Sequence, residues 1–373
     1  MTQFKKHNAA IVSILLGVAT LLVTGIFLFT APRPSIPNSD SPKDLPDVTN
    51  TPHPTSIPTP LPLPTSKTIQ SLGHTFQTFN NCGPATYSMM LQYVDIKVPQ
   101  KELGDRLRPY QVAGGDNDDK SVSMEEIAQD SQRYDLISIH RPNGTIEKLK
   151  QFIAADQPIV LRTWLNNKDD IGHFIIVRGY DDTTNQIVFD DSYYAPNRKT
   201  TYQELLSLWQ PFNYEYLILV KEENKEKIEQ ILKEESNIQL AWENAQQRSI
   251  EETRAEPQNP FPPFNNARAS FYLGNYEQTI NVYESIKAQL PSRMLWYQYE
   301  PILAYEKLGK TKEVFSLIDA ILNNNNRAYS ELYTIKARIY ISNNQIDQAK
   351  KELELALRYN QNYQEAKDLL TSL

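Results

Sequence analysis

A chain of 373 residues with 40% hydrophobic and 22% charged side chains has the composition of a folded protein and the length for two or three domains. A net charge of −7, with no basic stripe, argues against nucleic acid as a partner. The single cysteine excludes an internal disulfide framework and any multi-cysteine zinc site.

Residues 1–8 form a short tail carrying Lys5, Lys6 and His7, and an apolar run over residues 9–29 follows. That is about 20 residues, enough to cross a hydrocarbon core as a helix. The run ends in Ile26, Phe27, Leu28 and Phe29, without the small residues of a cleavage site, so an uncleaved signal anchor is expected. Lysines ahead of the span place the tail in the cytoplasm and everything after it outside, in a single-pass cell-membrane protein. Residues 30–66 hold 11 of the 24 prolines among Ser, Thr, Asn and Asp. This is a semi-rigid spacer of roughly 3 Å per residue.

A first folded domain is expected over residues 67–222. Cys82 follows the turn-prone pair Asn80-Asn81 and precedes Gly83-Pro84, where the helix-spaced residues Ala85, Met89, Met90 and Tyr93 begin. A thiol in the first turn of a helix meets unpaired N–H groups and the positive dipole end, which favour the nucleophilic thiolate. A lone cysteine is otherwise a small buried hydrophobe. Helical spacing continues over residues 123–131 and 145–155. Short runs rich in β-branched residues then predict strands at 158–164, 173–180, from Ile187 onward, and at 214–220. Helices followed by a mostly antiparallel sheet make an α+β plan.

Five histidines are present, and His7 and His53 lie in the tail and the spacer. Of the others, His74 falls in a loop and His140 in an apolar stretch. His173 opens a strand after Gly172 and is the preferred general base. The next strand returns to Asp190 and Asp191, and alternation from inward Ile187 and Phe189 favours Asp191 over Asp190 as the group orienting the imidazole. Gln77, five residues before Cys82, can donate its amide to an oxyanion together with the Cys82 N–H.

Gln77, Asn81-Cys82-Gly83-Pro84-Ala85, the run from Gly172-His173 to Tyr180-Asp181, and Asp191-Ser192-Tyr193 together resemble the papain-like cysteine peptidases of the bacteriocin-processing, double-glycine leader peptidase family. The likeness is to stand-alone members and covers residues 69–220. It implies a papain-like fold with Cys82 as nucleophile, His173 as base, Asp191 as orienter and Gln77 as oxyanion donor.

Residues 223–256 are charged and helix-forming, a linking helix expected to pack through Ile228, Ile231, Leu232, Leu240 and Trp242. Over 257–373 a period of 35 residues relates Gly274, Gly309 and Asn344, and likewise Tyr283, Ile318 and Leu353. This resembles tetratricopeptide repeats, all-α helix pairs stacked into a superhelix whose concave face takes a peptide or protein partner. Tyr272, Tyr276, Tyr297, Tyr299, Tyr305, Tyr333 and Tyr340 can line such a face or fill the core between helices. Leu308-Gly309-Lys310-Thr311 lacks the earlier glycine of a phosphate loop, where Ala304 stands, and no cofactor or metal is expected. The expected function is a membrane-anchored extracytoplasmic cysteine peptidase. A non-catalytic peptide-binding adaptor, or an amidase or transglutaminase using the same residues, remains as an alternative.

Overall fold

The computed structural model describes residues 62–373, except 113, 114, 118–121 and 325. The expected tail, membrane span and most of the spacer lie outside the described residues. Among the described residues no helix is long and apolar enough to cross a membrane.

The chain enters through a short strand β1 (Ser66–Thr68) and runs extended to helix α1 (Cys82–Gln92). The helix starts at Cys82 itself, two residues before the Pro84 start that the apolar spacing suggests. Proline is tolerated there because first-turn N–H groups have no intrahelical partner. Helices α2 (Gln100–Leu107) and α3 (Met124–Ser131) follow, then β2 (Ile137–Arg141) and α4 (Ile146–Ala154). Ser123 caps α3 in a reciprocal box with Glu126, and Thr145 caps α4 through the Lys148 N–H.

The central strands are β3 (Ile159–Trp164), β4 (Gly172–Asp181), β5 (Gln186–Asp191) and β6 (Ala195–Thr201); α5 (Tyr202–Trp209) and β7 (Tyr216–Val220) complete the domain. All pairings are antiparallel, in the order β2-β7-β3-β4-β5-β6, with β1 added against β4. Polar β6 has no apolar alternation, which is why the sequence pattern gives no sign of it.

Helices cover both faces of the sheet because its strands alternate. Val160, Phe174, Ile176, Leu217 and Leu219 pack with Met89, Met90 and Leu91 of α1 and with Leu103 and Ile127. Leu161, Ile175, Val177, Phe189 and Ile218 pack on the other side with Leu149 and Phe152 of α4 and Trp209 of α5. Cys82 thus opens a helix clamped onto one face, beside the end of β4 where His173 stands.

Beyond the sheet lie α6 (Lys225–Leu232) and α7 (Ile238–Ala255). They are two helices rather than one, divided where Lys233 takes φ +55°. Ile228, Leu232 and Trp242 are buried, whereas Leu240 is exposed. Helix pairs then follow: α8 (Phe261–Tyr272) with α9 (Tyr276–Ile286); a short α10 (Met294–Tyr297) leading into α11 (Glu300–Lys307) with α12 (Thr311–Leu322); and α13 (Ser330–Ser342) with α14 (Ile346–Tyr359). α15 (Gln364–Thr371) closes the array.

The 35-residue period has a local cause. Gly274, Gly309 and Asn344 turn the chain between paired helices at φ +80°, +67° and +56°, a left-handed conformation that glycine and asparagine adopt most readily. Tyr297, Tyr305 and Tyr333 are buried in the helical core, and Tyr272 stacks on Trp242 at 4.0 Å between ring centroids.

The helical array packs on the sheet domain, and residues 60–373 form one compact unit. A buried charge cluster lies between them. Arg268 of α8 bonds Glu215 at 2.7 Å and Glu300 at 2.6 Å, all three at most 6% exposed. Burial pushes the Glu215 carboxyl up, but Arg268 and His140 outweigh it and bring it down to about 2.

Candidate active site

Asn80 precedes Cys82 in a left-handed conformation at φ +54°, and its carbonyl accepts a 2.9 Å hydrogen bond from the buried Arg108. Asn81 donates its side-chain amide to Thr78 Oγ1 at 2.8 Å. The turn delivers Cys82, 5% exposed, at the first helical position with no acidic residue in that turn to oppose a thiolate.

His173 and Asp191 lie on neighbouring antiparallel strands whose register pairs Ile175 with Asp191. His173 therefore shares a face with Asp191, and His173 Nε2 meets Asp191 Oδ1 at 2.8 Å with both residues buried. Burial alone would push the imidazolium down. Hydrogen bonds to Asp191 and to Cys82 outweigh it and raise His173 to about 9. Burial likewise pushes Asp191 up, but His173 and the N–H groups of Tyr193 and Tyr194 bring it down to about 2.

The same Asp191 Oδ1 accepts the N–H groups of Tyr193 at 2.9 Å and Tyr194 at 3.2 Å, while Oδ2 takes Arg198 at 2.8 Å. Asp190 faces the other way, to Arg178 at 2.9 Å, Ser71 at 3.0 Å and the Asn197 N–H at 2.8 Å. Register shifts at Arg178 in β4 and at Pro196-Asn197 in β6, opposite Asp190, mark the bulges beside that pair.

Gln77 is fixed twice. Its N–H donates to Ser192 O at 2.9 Å, and Ser192 Oγ donates to Gln77 Oε1 at 2.9 Å. With the amide oxygen committed, the NH₂ end is the one able to donate to a substrate. Gln77, Cys82 and His173 line one cleft of ≈ 370 Å³ with Phe79, Leu165, Ile171 and Tyr193. A larger groove of ≈ 720 Å³, lined by charged residues of α2 and α15, carries no nucleophile.

Of the other histidines, His74 meets Asp191 O at 3.0 Å and so braces the carboxylate's own backbone. His140 lies between Glu125 and Glu215, away from Cys82. Among the described residues no three His, Cys, Asp or Glu side chains cluster as metal ligands would.

Sequence reasoning missed Ser192 as the anchor of Gln77, the Tyr193 and Tyr194 amides, and Arg198. Asp191-Ser192-Tyr193 stands in the sequence, but only the bend after β5 turns its backbone onto Asp191.

A helix opened by Cys82 against an antiparallel sheet, with His173 in the same cleft and Asp191 bonded behind it, is the arrangement of a cysteine peptidase. Residues 67–217 match the model of the Peptidase_C39 like family. Similar solved structures include a putative C39-like peptidase from Bacillus anthracis, 18% identical, covering 42% of this chain and 98% of that one at a TM-score of 0.35. The peptidase domain of Streptococcus ComA, a bi-functional ABC transporter, is 13% identical over 40% of this chain and 97% of that one, at 0.31. A thermophilic TPR protein from Thermus thermophilus is 18% identical over 35% and 72% at a TM-score of 0.29. No curated protein matches the chain.

Proposed function

We propose that the chain hydrolyses peptide bonds through Cys82, His173, Asp191 and Gln77, as a peptidase held outside the cell membrane by the apolar segment at residues 9–29. His173 takes the Cys82 proton, and the thiolate attacks the substrate carbonyl carbon. Charge moves onto the carbonyl oxygen, where Gln77 Nε2 and the Cys82 N–H act as donors. The C–N bond breaks as the imidazolium passes its proton to the leaving nitrogen, which leaves a thioester. Neutral His173 then takes a proton from water, the hydroxide attacks the thioester, and the acid product leaves with the sulfur restored.

The observation carrying this proposal is the hydrogen-bonded line from Asp191 through His173 to Cys82 at an open cleft. The repeat array is assigned a peptide or protein partner, supported by its tetratricopeptide-like period. Iodoacetamide labelling at neutral pH tests the chemistry. Cys82 is expected to alkylate far faster than a free thiol, and His173→Ala to remove the excess. Labelling at the free-thiol rate in both proteins would leave the adaptor as the better account. The amidase or transglutaminase alternative shares every step up to the thioester, and product analysis with water or an added amine as acceptor separates them.

A further inference from the structure

The strand that presents His173 is braced by the helical array. The β3–β4 loop, residues 165–171, contributes Leu165 and Ile171 to the cleft. It is pinned at Asp170, which accepts the Arg293 N–H at 3.0 Å, Arg293 Nη1 at 2.7 Å and Ser292 Oγ at 3.2 Å. Immediately beyond, α10 inserts Tyr297 against Gly172: a Cβ there would meet three Tyr297 ring carbons at 3.0–3.2 Å.

On the other side of His173, the Phe174 ring lies 5.5 Å from the Arg162 guanidinium, whose Nη1 donates to the Tyr297 carbonyl at 3.3 Å. The Tyr297 ring also packs 5.2 Å from that guanidinium and 5.7 Å from Trp164, the cross-strand partner of Gly172. Tyr297 of the repeat region therefore holds one chain neighbour of His173, Gly172, directly and the other, Phe174, through Arg162.

Resting on the peptidase reading above, we infer that Tyr297 is a positioning residue for His173, so the helical array completes the catalytic centre. Burial pushes the Tyr297 phenol up to about 12, so it stays neutral while it braces the strand. Its ring supplies contact area, and its hydroxyl takes a hydrogen bond from the Gly172 backbone.

The test uses the full chain and the rate of Cys82 alkylation by iodoacetamide as a function of pH, with circular dichroism as a check on folding. Tyr297→Leu is expected to slow neutral-pH alkylation on the order of ten- to a hundredfold and to move the profile to higher pH. Tyr297→Phe keeps the ring and loses only the hydrogen bond to the Gly172 backbone, and is expected to lie between Tyr297→Leu and the wild type. Gly172→Ala pushes a methyl into the ring and is expected to behave like Tyr297→Leu, with Gly172→Ala/Tyr297→Leu faster than Gly172→Ala alone. A folded Tyr297→Leu protein with the wild-type rate and profile overturns the inference. If Tyr297→Leu does not fold, Gly172→Ala decides, and an unchanged profile there overturns it equally. Wild-type alkylation at the free-thiol rate would sink the peptidase reading, and this inference with it. A fast wild type with unaffected variants sinks this inference alone.

Discussion

Asp191→Asn replaces the carboxylate beside His173 with a neutral group of the same shape. The bonds at stake are the 2.8 Å contact to His173 Nε2, two backbone N–H donors and the 2.8 Å contact from Arg198. His173 stands at about 9 against an ordinary 6.5, a rise worth on the order of 3 kcal/mol that is shared between Asp191 and Cys82. Asp191 stands at about 2 against 3.8, a fall worth on the order of 2 kcal/mol that includes the Tyr193 and Tyr194 bonds. The smaller figure bounds what the pair alone contributes. Losing the carboxylate should lower the imidazolium, since burial is then opposed by Cys82 alone.

A raised histidine holds its proton below its folded value and releases it above. The alkaline limb of peptidase activity is thus expected near pH 9 in the wild type, and at lower pH in Asp191→Asn. Activity at neutral pH should fall on the order of a hundredfold or more. The limb is read from kcat/KM against pH for a fluorogenic peptide that the wild type cleaves. Superimposable profiles for wild type and Asp191→Asn would refute the reasoning.

Asp190→Asn should leave that profile in place but destabilise the fold by about 3–5 kcal/mol, because Arg178 is left buried without its carboxylate; denaturant titration measures it. Gln77→Ala should cost on the order of 10²–10³ in kcat with KM little changed, in steady-state hydrolysis of a fluorogenic peptide that the wild type cleaves. Arg268→Ala leaves Glu215 and Glu300 buried without a cation and should lower Tm by roughly 10 °C. With Glu215 held down at about 2 against 4.5, its stabilisation is complete above pH 4.5. It is lost as pH falls through about 2, which an acid unfolding curve records.

Elements whose cause is local were legible in the sequence. Asn80-Asn81-Cys82-Gly83-Pro84 marks a turn into a helix, and the strand runs around His173 and Ile187 follow from composition. Alternation from Ile187 puts Asp191 on the histidine's face, and the register of β4 with β5 agrees, with Asp190 turned to Arg178. The spacing of Gly274, Gly309 and Asn344 announced the helix pairs because each must adopt positive φ.

Contacts between distant segments were not legible. Nothing in the pattern says that Ser192 clasps Gln77, that His74 meets the Asp191 carbonyl, or that Arg268 finds Glu215. Nor could a count of tyrosines tell that Tyr297 would wedge behind Gly172 instead of lining a groove. Periodicity tells which face of an element is apolar, and local turn chemistry tells where it starts and stops. Which faces meet depends on how the whole chain returns on itself, and only the folded chain decides that.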